Sequence, residues 1–124
     1  MELVTDPNEL QNYLDQVRAE GKSIGLVPTM GFLHQGHISL IERAVAENDV
    51  VITTIFVNPL QFSANEDLST YPRNIENDTD LCLEAGTNLL FTPAVEEMFC
   101  DTVLTSISVS NLSSVLEGVS RPTH

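Results

Sequence analysis

A chain of 124 residues, 42% hydrophobic and 19% charged, fits one globular domain with a real core. Its formal net charge of −13 leaves no basic footprint for nucleic acid. No apolar run approaches the roughly 20 residues of a membrane helix, and the early polar stretch "TDPNEL" argues against a signal peptide, so a cytoplasmic protein is expected. Cys82 and Cys100 lack CxxC spacing and read as reduced thiols, not as a disulfide or metal pair.

"TDPNELQNYLDQV" starts a helix. Asp6 can cap it, Pro7 suits the first helical position and Glu9 has capping-box spacing. Leu10, Tyr13, Leu14 and Val17 then share one face, and Gly21 ends the run. "SIGLVPT" is a short buried strand. A turn with two histidines follows, then the helix "HISLIERAVAEN" with Ile38, Ile41, Ala44 and Val45 on one face. "DVVITTIFV" is β-branched and apolar nearly throughout, as a strand covered on both faces requires. A polar loop, "NPLQFSANEDLSTYPR", leads to the helix "NIENDTDLCLEAG", closed by Gly86, and to the strand "NLLFTP".

Beyond that point "PAVEEMF" is a helical turn or two, and "LTSISVS" alternates like an exposed or edge strand. "SNLSSVLEG" is a helix capped by Ser110 with Leu112, Val115 and Leu116 on one face. The alternation of strands and helices predicts an α/β fold with a doubly wound parallel sheet. Three core strands are few for such a domain, so the chain is expected to be part of something longer.

The turn "VPTMGFLHQGH" carries the chemistry. Ligands of doubly wound sheets bind outside the C-terminal strand ends, and this turn lies at one, just before a helix. A helix N-terminus offers free N–H groups and partial positive charge to phosphate. Gly31 permits the tight turn, and Gly36 is expected to let a ligand approach the backbone. His34 and His37 can each donate to a phosphoryl oxygen, and the helix terminus favours their neutral forms. Half a zinc site is the competing reading, but no Cys, Asp or Glu stands nearby at ligand spacing.

His34-Gln35-Gly36-His37 after a first strand resembles the HxGH signature of the nucleotidylyltransferase and class I tRNA synthetase superfamily. With "VPTMGFLHQGH", "IFVNPLQF", "NEDLSTYPR", "LLFTP" and "LEGVSRPTH" in that order, residues 22–124 resemble the pantothenate synthetase (pantoate–β-alanine ligase) family. The resemblance implies a Rossmann-like domain that uses ATP and Mg2+ to make pantoyl adenylate, which β-alanine then converts to pantothenate. It implies that Met30, Gly31, Phe32, Leu33, His34, Gln35, Gly36 and His37 form the ATP segment, with His37 and His34 stabilising the α-phosphate transition state. Gln61 would hold pantoate near β-alanine. Pro28, Thr29 and Met30 would line the pantoate pocket, Phe56 and Phe62 would wall it, and Asn58 would brace it. Tyr71 and Arg73 fit the pattern, and Asp78 is offered as a magnesium ligand, with a capping or solvated surface role as the alternative.

Asn77 stands where an acidic residue is frequent in the family, Phe32 where a small residue is common, and Ser63 where glycine is frequent. Family members are more than twice as long, and the segments that grip the triphosphate lie beyond residue 124. Residues 1–124 are therefore expected to be the N-terminal nucleotide- and pantoate-binding domain, without the C-terminal domain and inactive alone. A homodimer is expected, with "LTSISVS" suspected at its edge, and no membrane or nucleic-acid partner. Two readings compete: another HxGH nucleotidylyltransferase, or a pantoate-binding or dimerisation module without catalysis.

Overall fold

The computed structural model describes residues 1–58 and 74–98. In chain order the elements are β1 (Glu2–Val4), α1 (Pro7–Ala19), β2 (Ile24–Thr29), α2 (Gln35–Glu47), β3 (Val50–Ile55), α3 (Ile75–Ala85), β4 (Leu89–Phe91) and α4 (Val95–Met98). The strands form one sheet in the order β1-β4-β3-β2, every pair parallel. The α/β class and the parallel sheet are as the sequence implied. Among the described residues β1 is a further strand that the sequence did not suggest, pairing Glu2 with Leu89 and Val4 with Phe91.

Helices cover both faces of the sheet. On one, Leu10, Tyr13, Leu14 and Val17 of α1 pack on Val4, Val50, Ile52, Leu89 and Phe91. On the other, Ile41 and Ala44 of α2 with Leu81, Cys82 and Ala85 of α3 pack on Val27, Val51 and Leu90. Side chains alternate between sheet faces, so consecutive residues Val51 and Ile52, or Leu89 and Leu90, enter opposite cores. This is why "VVI" and "LLF" read as continuous apolar runs.

The helix ends follow local rules. Asp6 caps α1 by accepting from the Asn8 N–H at 3.0 Å, with Pro7 at the first helical position. Gly21, at φ +74°, and Gly86, at φ +104°, supply the left-handed residues that end α1 and α3. Asn74 caps α3 through the Asn77 N–H at 3.2 Å. The helix α2 starts at Gln35, two residues before the sequence pattern suggests, because His34 is its N-cap. Gln61, Phe62, Tyr71, Arg73 and Cys100, with "LTSISVS" and "SNLSSVLEG", lie outside the described residues.

Candidate active site

At the C-terminal end of β2 the chain must turn sharply into α2. Thr29 starts that turn: its hydroxyl donates to the Thr54 carbonyl at 2.8 Å and accepts from the Gly31 N–H at 3.2 Å. Gly31 lies at φ +87° and Phe32 at φ +52°. Two consecutive left-handed residues are easy for glycine and strained for phenylalanine. A Cβ on Gly31 would stand 3.1 Å from Ile55 and 3.3 Å from the Asp78 carboxylate.

That carboxylate closes the turn from the other side. Asp78, in the first turn of α3, accepts from the Phe32 N–H at 2.9 Å and from the Leu33 N–H at 2.8 Å. The residue is only 2% exposed, so the solvated surface reading is corrected: the side chain is a buried strut. Leu33 is buried in the core between the sheet, α2 and α3, whereas Phe32 is 57% exposed. Among the described residues no group of three or more His, Cys, Asp or Glu is gathered to hold a metal.

The two histidines cap α2 reciprocally. His34 Nδ1 accepts from the Gly36 N–H at 3.0 Å, and His37 Nδ1 accepts from the His34 N–H at 3.1 Å. Their ring centroids are 4.1 Å apart, tilted by 45°. A backbone N–H only donates, so each Nδ1 must be the acceptor. In a neutral ring the proton then sits on Nε2, leaving each imidazole one Nε2–H donor. Two of the N–H groups expected to meet phosphate are thus taken by the rings, and each neutral imidazole keeps an Nε2–H to donate. Gly36 serves the cap too, since a Cβ there would come within 2.8 Å of the His34 ring.

Neutrality has its own causes. Burial holds the His37 imidazole below its usual pKa, the neighbouring His34 lowers it further, and Asp78 pulls the other way. Proton uptake on His37 Nδ1 would also remove the acceptor that caps the His34 N–H.

Two adjoining cavities open beside the turn and share Met30, Phe56 and Pro93. The larger, about 450 Å³, is lined by Pro28, Thr29, Met30, Thr54, Asn58 and Phe91, among others. The smaller, about 240 Å³, lies against Gly31, Ile55, Asn74 and Asp78. The structure thus brings Pro28, Thr29, Met30, Phe56 and Asn58 to one cavity. Sequence reasoning misses Thr92 and Pro93, after β4, although their place at a C-terminal strand end is a usable signal.

Cations are scarce here. Among the described residues Arg18 pairs with Asp15, Lys22 with Glu20 and Arg43 with Glu47, and none of the three lines either cavity. Cys82 is buried and free, its thiol pushed up to about 11 by burial, as an unreactive reduced thiol requires. No helix among the described residues is long and apolar enough to cross a membrane.

A parallel sheet whose crossover helix is capped by the two histidines of an HxGH turn, beside cavities at the strand ends, defines a Rossmann-like domain of the HxGH class. Comparison makes the assignment particular. The chain belongs to the pantoate–β-alanine ligase family, whose family model matches residues 2–124. It is 50% identical over 124 residues to the pantothenate synthetase of Rhizobium johnstonii, covering all of this chain and 41% of that protein. The pantothenate synthetase of Clostridium novyi is 53% identical over 117 residues, or 94% of this chain and 41% of that one.

Solved structures agree. The pantothenate synthetase of Thermus thermophilus superposes with a TM-score of 0.81 at 43% identity, over all of this chain and 44% of that one. The pantoate–β-alanine ligase of Francisella tularensis, complexed with β-γ ATP and β-alanine, superposes with a TM-score of 0.86 at 37% identity, over 100% and 48% of the two chains. The chain thus spans less than half the length of these relatives.

Proposed function

We propose that the protein to which this domain belongs condenses pantoate with β-alanine at the expense of ATP, through a pantoyl-adenylate intermediate. The reciprocal histidine cap carries this reading. It leaves an Nε2–H donor on each imidazole at the start of α2. The pantoate carboxylate attacks the α-phosphate, and pyrophosphate leaves. His37 and His34 donate to the oxygens on which charge develops, which is electrostatic stabilisation by groups already in place. The β-alanine amine then attacks the acyl carbon and AMP leaves.

In this reading Met30–His37 are the ATP segment, with Gly31, Phe32, Leu33, Gln35 and Gly36 contributing backbone shape. Pro28, Thr29, Met30 and Asn58 line the pantoate pocket, and their meeting in one cavity supports that assignment. Gln61 and Phe62 complete it. Mg2+ accompanies ATP. Each Asp78 oxygen accepts one backbone N–H, so a magnesium ion held there would use the remaining lone pairs, with the phosphates of ATP as its other ligands. The protein is cytoplasmic and a homodimer, and residues 1–124 by themselves form no pantothenate.

The test is pyrophosphate exchange into ATP by the full-length protein without β-alanine. Exchange should require pantoate and fail with other carboxylic acids. Exchange with a different acid, or none with pantoate, refutes the reading. Pantothenate formation by residues 1–124 would overturn the claim about the domain alone, and light scattering on the full-length protein checks the dimer.

A further inference from the structure

We propose that Asp78 is a positioning residue for the adenylation step: from α3 it clasps the backbone of Phe32 and Leu33 and thereby aims the His34 and His37 donors. The inference rests on the histidine reading above. The carboxylate's hydrogen bonds go to main-chain N–H groups, so it acts on the imidazoles through the backbone.

Three observations carry it. First, the two carboxylate oxygens take two consecutive N–H groups, at 2.9 and 2.8 Å, which holds the two peptide groups on either side of Phe32 and not just a distance. Second, Phe32 is held at φ +52° while its phenyl group is exposed, so packing of that side chain does not impose the conformation. A strained residue persists only where its surroundings over-determine it, and the clasp is the neighbour that does so. Third, the next residue is His34, whose N–H meets His37 and whose ring meets Gly36. A rotation of the Leu33–His34 peptide would move both imidazoles, because the two caps share that stretch of backbone. Leu33 itself is pinned in the core, so the clasp works between a fixed side chain below and two donors above.

Asp78→Asn is nearly isosteric and tests this. An amide has one acceptor oxygen and presents an NH2 to the second N–H, so one peptide contact turns repulsive. In the full-length protein, kcat for pantoate-dependent pyrophosphate exchange should fall on the order of 10- to 100-fold, the scale of a misplacement near one ångström. KM for pantoate should stay unchanged, because the pocket walls Pro28, Thr29 and Asn58 are not on the clasp.

The decisive arm is a double-mutant cycle. In a His34→Ala/His37→Ala background, Asp78→Asn should change exchange by no more than about twofold, since it no longer has donors to aim. The same fold-loss in both backgrounds would mean that Asp78 acts independently of the histidines, and would overturn the proposal. Two readouts need no activity. The 15N shifts of wild-type His34 and His37 should show Nε2–H tautomers, and Asp78→Asn should mix them. Amide exchange at Phe32 and Leu33 in the wild type should be slow, and fast exchange at both would refute the clasp even if the variant failed to fold. Wild-type protein that shows the tautomers and slow amides but no pantoate-dependent exchange would refute the functional reading alone.

Discussion

β2 is tied at both ends by an aspartate, and the two ties differ in depth. At its start, Asp49 accepts from the Ser23 N–H at 2.9 Å and the Ser23 hydroxyl at 3.2 Å, and the Ser23 hydroxyl oxygen accepts from the Asp49 N–H at 2.9 Å. That clasp is exposed, and the backbone hydrogen bond from Ser23 is the main cause holding the Asp49 carboxyl below its usual range. At the far end Asp78 does the same kind of job on Phe32 and Leu33, but buried. The chemistry is shared: a carboxylate takes backbone N–H groups that the strand end leaves over. Water can replace the first clasp readily, whereas the carboxylate of the second is itself buried. Breaking a buried bond leaves its donors unsatisfied, which costs far more than the bond's net contribution.

The comparison can be broken most forcefully at Asp78. Asp78→Ala strands two backbone N–H groups and should destabilise by about 2–4 kcal/mol, read as a lower urea midpoint at constant slope. A change no larger than that of Asp49→Ala would erase the distinction between the two clasps.

Next in size come the imidazoles that the buried clasp supports. His37→Glu restores the usual partner at the third helical position, so melting should barely move. The substitution nevertheless replaces a donor with a negative charge facing phosphate, and exchange should fall by about 100- to 1,000-fold. His34→Ala should cost about 1 kcal/mol of stability through the lost cap, while His34→Asn, which still caps, should restore stability without restoring exchange.

The smallest effects belong to pH and to the exposed clasp. His37 is lowered in the folded state, so the unfolded chain takes up the proton first. Stability should therefore be unaffected well above pH 6.5 and decline as pH falls through roughly 6.5, the imidazole's unfolded value. His37→Gln should flatten that decline. Bound triphosphate favours imidazolium, so the NMR titration of His37 should shift upward on saturation with ATP; an unchanged titration would speak against donation to phosphate. Asp49 has the same sign in a more acidic window. Its stabilisation is present above the unfolded carboxylate value and is lost as pH falls through the lower folded one. Asp49→Ala should make the smallest change of the set.

What was legible in the sequence follows the range of the interactions. Strands β2, β3 and β4 and helices α1, α2 and α3 announce themselves through apolar runs and caps such as Asp6-Pro7 and Gly86, all local signals. β1 was not legible, because three residues carry no periodicity and their pairing with β4 is decided far along the chain. The site divides in the same way. The histidines, Gly31 and the strand-end residues Pro28, Thr29 and Met30 stand out in one continuous stretch. The role of Asp78 was not visible, because its partners lie 45 and 46 residues earlier and a first-turn carboxylate looks like an ordinary cap. The only hint was Phe32, a large residue where a small one is common, which proves to be left-handed. Gly36 reads in the sequence as room for a ligand, and the room it makes for the His34 ring is set by a fold contact that the sequence does not display.

The pairing of Glu2 with Leu89 also sets an order of assembly. Of the four strands among the described residues, the earliest in the chain has its hydrogen-bonded neighbour in the latest. Until β4 emerges, β1 has no edge to join, and α1 has only part of its apolar bed, Val50 and Ile52, to lie on. Contacts of such long sequence separation form slowly because the intervening loop must close first. On the ribosome the β2–α2–β3 unit, with its histidine cap, can therefore form before β1 finds its place.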